Sequence, residues 1–403
     1  MNNPTEQLQL TTFQWPQGFY SDGIAIGLGA TAKKDFGWLV SVVPAAAAGT
    51  YTTNKFQAAP TALTKATIDS HHQLQAVVVN SAIANSCTGQ QGETDALQEQ
   101  TWIADKLDIA PHLVGVASTG LIGATLPMTK IQAGVTQLQQ TTTMAVTEAV
   151  LTTDKKPKTA SVQVLVNGQL VTISGFAKGS GMIHPKMATM LGFVTTDAAI
   201  TGDLLQTTLS QTVDETFNQI TVDGDTSTND MVLAMANGQA GNQPLTQATD
   251  TDYATFKAGF SLVLKALAQQ IAADGEGATK LVEVNVSGAE TTADAQRVAK
   301  AVVGSNLTKA ALYGEDPNWG RIIAAVGMVD AQMAVDHVGI WINGAQVVAH
   351  SEGTAFDPEV VSKAMQGPKV TIQVDLGVGV QTGQAWGCDL TYDYVKINAS
   401  YHT

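Results

Sequence analysis

Three side chains able to do chemistry, Lys178, Ser180 and Thr189, lie in one glycine-studded stretch, Gly-Phe-Ala-Lys-Gly-Ser-Gly-Met-Ile-His-Pro-Lys-Met-Ala-Thr-Met-Leu, residues 175–191. Gly175, Gly179 and Gly181 permit turns and close approaches that other residues resist, and Pro185 fixes one torsion just before Met187-Ala188-Thr189-Met190. A phosphate-cradling loop needs its lysine after the second glycine and a hydroxyl next to it, whereas Lys178 precedes its glycines and Lys186 is followed by methionine. Thr189 offers another chemistry. If the Ala188–Thr189 peptide bond were cut, Thr189 would carry a free α-amine with a pKa of about 7.7 to 8.0, roughly 3 Å from its own hydroxyl. That amine can act as general base for the hydroxyl, which must also do the cutting. The same residues also suit a glycine-rich connector, with Thr189 as a helix cap or a buried hydroxyl.

The elements around this stretch decide what it can meet. Strands over 162–166 and 170–173, joined by Asn167-Gly168, form a hairpin that feeds into it, and a strand over 191–194 leaves it. A strand over 113–117 delivers Ser118-Thr119-Gly120. A threonine hydroxyl beside a closely approaching glycine N–H could stabilise the oxyanion of an acyl transfer, and the same residues could equally cap a strand-to-helix turn. Further strands are read over 36–43, 76–80, 281–286 and 370–376, with an Asn343-Gly344 hairpin over 340–348. The loop that begins at Asn80 suits a cluster of hydrogen-bond donors. Helical spacing appears over 94–107, 131–149, 204–217 and 291–303, and most plainly in Tyr253, Phe256, Phe260, Val263, Leu267 and Ile271. The loop 221–230 holds Asp223, Asp225 and Asp230 without the spacing of a calcium loop, so hydrogen bonding is preferred to a metal, ahead of a helix over 231–236. Glu276 sits between two glycines, and aromatic alternation persists almost to Thr403. Strands and helices alternate throughout, which predicts a mixed α/β fold with sheets between helical layers.

The chain has 403 residues, enough for two domains or fused lobes, with 14% charged residues and 37 glycines. A net charge of −14 without basic clusters argues against a nucleic-acid partner. Cys87 and Cys388 have no metal-binding or disulfide spacing and read as small buried residues. The amino terminus lacks a signal-peptide pattern, and the apolar stretch 36–48, broken by Pro44, is too short to span a bilayer. A cytoplasmic location and no membrane contact are expected.

The segment Ala177-Lys178-Gly179-Ser180-Gly181-Met182-Ile183, then Pro185 and Met187-Ala188-Thr189-Met190-Leu191, resembles the self-cleavage site of the ornithine acetyltransferase family of arginine biosynthesis, the often bifunctional glutamate N-acetyltransferases. Similar blocks recur in order from Gly18 to Thr403. The resemblance implies an autoprocessed α/β fold cut between Ala188 and Thr189 into chains 1–188 and 189–403, assembled as two copies of each. It implies Thr189 as nucleophile, Thr119 and Gly120 as the oxyanion hole, and Thr152, Lys178, Thr189, Glu276, Asn398 and Thr403 as substrate contacts. Lys178 also has a rationale of its own, since amino-acid substrates are carboxylates that need a cation. The implied reaction moves an acetyl group from N2-acetyl-L-ornithine to L-glutamate through an acetyl-threonine, with acetyl-CoA as a further donor in some members and no bound cofactor or metal. The sequence departs from the pattern at Ala82, where the family usually has glycine, and at His184. Two alternatives stand beside it: a related self-cleaving aminopeptidase and a non-enzymatic binding protein.

Overall fold

The computed structural model describes residues 8–29, 32–184 and 190–400. In chain order they form β1 (Phe19–Ile24), β2 (Phe36–Tyr51), α1 (Ala59–His71), β3 (Gln73–Asn80), α2 (Gly89–Leu107), β4 (Val114–Ser118), α3 (Met128–Gln137), α4 (Ala145–Ala149), β5 (Lys158–Val166), β6 (Gln169–Lys178) and β7 (Leu191–Thr196). There follow α5 (Gly202–Glu215), β8 (Met231–Ala236), α6 (Tyr253–Ala273), β9 (Leu281–Ala289), α7 (Thr292–Gly304), α8 (Asn306–Tyr313), α9 (Trp319–Gly327), β10 (Gly339–Ile342), β11 (Ala345–Ala349), β12 (Glu352–Gly353), α10 (Pro358–Ala364), β13 (Lys369–Asp375), β14 (Gln381–Cys388) and α11 (Tyr392–Ser400).

The first sheet runs β4-β3-β2-β8-β7-β6-β5, with β1 beside β2. It is mixed: β3 with β4 and β7 with β8 are parallel, and the other pairs antiparallel. The long β2 joins two halves of this sheet. Residues 36–40 pair with β1 and β3, residues 46–51 pair with β8, and the register against β3 shifts between Val40 and Ala45, around Pro44. A straight strand would hold Phe36 and Tyr51 about 50 Å apart. Asn229, beside the start of β8, nevertheless donates to the Ser118 carbonyl at the end of β4 over 2.8 Å, so β2 must bend, as an irregularity in the ladder allows. Side chains of Leu39, Val77 and Val79 from one half and Phe176, Phe193 and Leu233 from the other share a core between the halves. Strand alternation then turns Trp38, Val40 and Val78 outward under α2 and α3, and Val194, Val232 and Ala234 outward under α5 and α6. The expected sheets between helical layers are present as this bent arrangement.

The second sheet, β12-β11-β10-β13-β9-β14, packs α7 and α9 against it around its own core. It is tied to the first through α6, whose predicted stripe from Tyr253 to Ile271 is buried throughout. Both Asn-Gly turns adopt the positive φ values that a two-residue hairpin requires, 49° and 77° at residues 167–168 and 46° and 85° at 343–344.

Several expectations are corrected. Residues 231–236 form strand β8, not a helix: Met-Val-Leu-Ala-Met-Ala is buried at every position, so it carries no period, and backbone partners on β2 and β7 decide for a strand. The single helix over 131–149 is two, because the chain leaves α3 so that Ser21 and Thr141 can exchange backbone hydrogen bonds before α4 begins. The aromatic tail, to which no element was assigned, forms helix α11. Cys388 is buried as expected, but Cys87 is exposed.

Candidate active site

Four strand ends meet at one cavity of about 230 Å³. Its lining includes Thr119 and Gly120 after β4, Lys178 at the end of β6, Met190 and Leu191 at the start of β7, and Asp230 before β8. The ladder sets this edge, with Lys178 opposite Leu191 and Leu191 opposite Met231. Thr152, Thr153, Asp223, Asn229, Glu276, Tyr394 and Asn398 complete the walls named here. Of the predicted site residues, Thr119, Gly120, Thr152, Lys178, Glu276 and Asn398 are thus brought together; Ala188, Thr189 and Thr403 lie outside the described residues, as do Pro185, Lys186 and Met187.

Gly120 has φ +131°, and a Cβ there would stand 2.1 Å from the carbonyl carbon of Ala82, so only glycine fits. The flanking amides of Thr119 and Leu121 donate to Asn80 and Ala82, while no hydrogen bond among the described residues engages the Gly120 N–H. Ala82 itself takes φ +73°: the loop makes its left-handed turn although alanine stands where the family usually has glycine. The Thr119 hydroxyl accepts from Lys178 Nζ at 3.3 Å, which leaves its own proton to donate.

A buried ionic cluster holds the glycine bend. Lys158, fully buried, donates to Asp154 Oδ1 at 2.5 Å and Asp274 Oδ2 at 2.6 Å, and Asp154 Oδ1 also takes the Gly179 N–H at 2.7 Å. Burial pushes the Asp154 carboxyl up, but Lys178 and Lys158 hold it below the usual carboxylate range. Burial likewise pushes the Lys178 ammonium below the ordinary lysine range, against the opposing pull of Asp154, Asp230 and Glu276. The Thr153 hydroxyl is committed to Ser180 at 2.7 Å, and Thr152 leans on Asp154. Glu276 is seated by its N–H to the Ser180 carbonyl at 2.8 Å and receives Asn398 Nδ2 at 2.8 Å. Asn398 and Tyr394 share one face of α11 at a separation of four residues.

Sequence reading missed the division of labour in the loop 221–230. Asp223 spends its carboxylate on the N–H groups of Met182 and Ile183, at 2.7 and 2.8 Å, and accepts from Tyr394. Thr226 donates to the His184 carbonyl and Thr221 bonds the His184 ring, so His184 is held as part of the backbone's path. Asn229 ties the loop to Ala84 and Ser118. The preference for a hydrogen-bonding loop thereby fits these aspartates. Trp319 and Arg321 serve the second sheet's helices, Arg321 by donating to the Leu307 carbonyl.

An α/β fold that gathers a threonine hydroxyl, a glycine N–H and a buried lysine where four strand ends meet has the parts that an enzyme of the acyl-transfer class needs. The sequence profile of the ArgJ family matches residues 20–403. The arginine biosynthesis bifunctional protein ArgJ of Lactiplantibacillus plantarum is 64% identical over 397 residues, 98% of each chain, and that of Listeria monocytogenes 52% over 390 residues, 96% of this chain and 98% of its own. A solved ArgJ chain from Bacillus halodurans is 50% identical with a TM-score of 0.51, covering 52% of this chain and 98% of its own. The chain belongs to the ArgJ family, and this decides against both the aminopeptidase and the binding-protein alternatives. No helix among the described residues is long and apolar enough to cross a membrane.

Proposed function

We propose that this chain cuts itself between Ala188 and Thr189 and then transfers acetyl groups in arginine biosynthesis, from N2-acetyl-L-ornithine to L-glutamate, and also from acetyl-CoA to L-glutamate. One observation carries the reading: β7 starts two residues after Thr189, between the ends of β6 and β8, at the cavity that holds Thr119, Gly120 and Lys178. In the first half-reaction the Thr189 hydroxyl gives its proton to the freed α-amine as its oxygen bonds to the acetyl carbon. Thr119 Oγ1 and the Gly120 N–H receive the oxyanion. Collapse breaks the acetyl C–N bond, the proton passes to the departing ornithine nitrogen, and acetyl-threonine remains. Glutamate's amine then takes the acetyl group by the same steps in reverse, a ping-pong course. Lys178 faces a substrate carboxylate, and Glu276, steadied by Asn398, faces a substrate ammonium. Thr152 and Thr403 add substrate contacts. No bound cofactor or metal is needed for these steps. The reading places the two chains as two copies of each in the cytoplasm.

The test is direct. The purified protein should give two amino-terminal sequences, the second beginning Thr-Met-Leu-Gly, and Thr189→Ala should stay a single inactive chain. A Thr189→Ala protein that still splits would defeat the proposal.

A further inference from the structure

The Lys178 ammonium is placed for a second task beside the grip on substrate. Lys178 is 8% exposed, and among the described residues its Nζ donates one hydrogen bond, to Thr119 Oγ1 at 3.3 Å. Two further N–H groups are left for the cavity. Both partners are held from the backbone. Lys178 ends β6 opposite Leu191, and the N–H of the next residue, Gly179, is taken by Asp154 Oδ1 at 2.7 Å. Thr119 donates its N–H to the Asn80 carbonyl at 3.0 Å, and the Ser118 carbonyl before it takes Asn229 Nδ2 at 2.8 Å. The contact between the two side chains is therefore set by the strands that carry them.

A hydroxyl proton rotates to suit its surroundings, so a cation that donates to the oxygen excludes the proton from its own side. Thr119 lines the cavity, where that proton is useful. We propose, on the reading that this chain transfers acetyl groups, that Lys178 is a positioning residue of the oxyanion hole: by donating to Thr119 Oγ1 it turns the Thr119 proton into the cavity and strengthens that hydroxyl as a donor to the oxyanion. The negative charge appears when the nucleophile's oxygen bonds to the acetyl carbon and the carbonyl π electrons move onto the carbonyl oxygen. The relay from Lys178 through Thr119 answers that charge without moving a proton, and it is restored when the carbonyl re-forms. Hydrogen bonds in such a chain polarise one another by about 10–30% per bond, and ionised donors are the strong ones. The relay acts on kcat for any acetyl donor, whereas the grip on a carboxylate acts on KM for substrates that carry one.

The surroundings give this cation its strength and its weakness. Little water competes for its hydrogen bond, so the charge acts at short range through Thr119. Burial pushes the Lys178 ammonium below the ordinary lysine range; Asp154, Asp230 and Glu276 pull the other way, and Lys158 adds to the push. The relay is therefore complete while Lys178 keeps its proton and weakens as alkaline pH removes it.

The experiment uses the cut, purified enzyme and p-nitrophenyl acetate, an acetyl donor with neither carboxylate nor ammonium, and follows acetyl-enzyme formation by p-nitrophenol release and intact mass. Thr119→Ala removes a donor of the hole and should slow acylation about 10²-fold. Lys178→Met removes the ammonium at similar length and should slow it about tenfold, with kcat at saturating N2-acetyl-L-ornithine falling by the same factor. The double variant should be no slower than Thr119→Ala alone, because Lys178 acts through that hydroxyl. Lys178→Arg keeps a cation that does not titrate, so it should recover part of the loss and remove the parent's decline at alkaline pH. A Lys178→Met enzyme with the parent's acylation rate, its loss confined to KM for ornithine or glutamate, overturns the proposal, and so do losses that multiply in the double variant. If Lys178→Met yields no cut chain, Lys178→Arg decides, and an alkaline profile equal to the parent's overturns the proposal. A parent enzyme that forms no acetyl adduct from either donor would instead overturn the function on which this inference rests.

Discussion

Glu99 lies on the buried face of α2 with no exposure, and neither carboxyl oxygen has a hydrogen-bond partner among the described residues. Burial, aided by the neighbouring charge of Asp95, pushes its pKa from 4.5 to about 8. The folded chain therefore holds a proton that the unfolded chain releases. The stability this contributes is fully present below about pH 4.5, declines as pH rises, and is lost once pH passes about 8. Each unit is worth about 1.4 kcal/mol, so deprotonating solvent conditions cost the fold about 3 kcal/mol at pH 7 and about 5 kcal/mol above pH 8. Glu99→Gln removes the titration at nearly constant volume. Urea unfolding of parent and variant at pH 5.5 and 8.5 isolates the effect, since other carboxylates cancel in the difference. The variant's advantage should widen by about 3 kcal/mol between the two pH values. A gap that does not change with pH would refute this titration and mean that Glu99 is ionised or partnered in the folded protein.

Gly181→Ala would place a Cβ 2.5 to 2.6 Å from the carboxylate atoms of Glu276 and force that carboxylate to retreat by about 1 Å. Loss of one charge-assisted hydrogen bond should raise KM for ornithine or glutamate about 10- to 100-fold with kcat little changed; an unchanged KM, by steady-state kinetics, would remove Glu276 from the substrate pocket. Ala82→Gly relieves a left-handed alanine at φ +73° and should stabilise the fold by about 0.5 to 1 kcal/mol in urea, once glycine's extra chain entropy is subtracted; a lowered urea midpoint would show that the alanine turn is unstrained.

Much of the site was legible because its residues need particular backbones. Gly120 and Glu276 lie in loops whose glycines announce close approach, and the Asn167-Gly168 turn fixes the register of β6, the strand that ends in Lys178, against β5. The parts that escaped are those where local sequence carries no period or where identical side chains take different tasks. β8 is buried on all sides and so lost its alternation. Asp223 and Asp230 are the same residue type in one loop, but one clamps two backbone N–H groups and the other keeps an oxygen free, a difference made by the segments that happen to face them. Asn398 and Tyr394 reach the cavity four residues apart on a helix, a spacing that the alternation of aromatics in the tail did not announce.

The strand order explains how a cut at residues 188–189 could expose an amine without releasing a chain. β7 and β8 follow the proposed cut, yet they lie between β2 and β6, which precede it. Each side of this inserted pair is a continuous antiparallel ladder, residues 173–178 against 191–196 and residues 46–51 against 231–236. The loop 221–230 adds a second grip, since Asp223 and Thr226 hold residues 182–184 on the upstream side, while Asn229 reaches across to Ser118. Separation of the two pieces would have to break both ladders and open the core shared by Phe176 and Phe193, whose rings stack at 4.9 Å. A cut at residues 188–189 would therefore leave both ladders and the shared core in place.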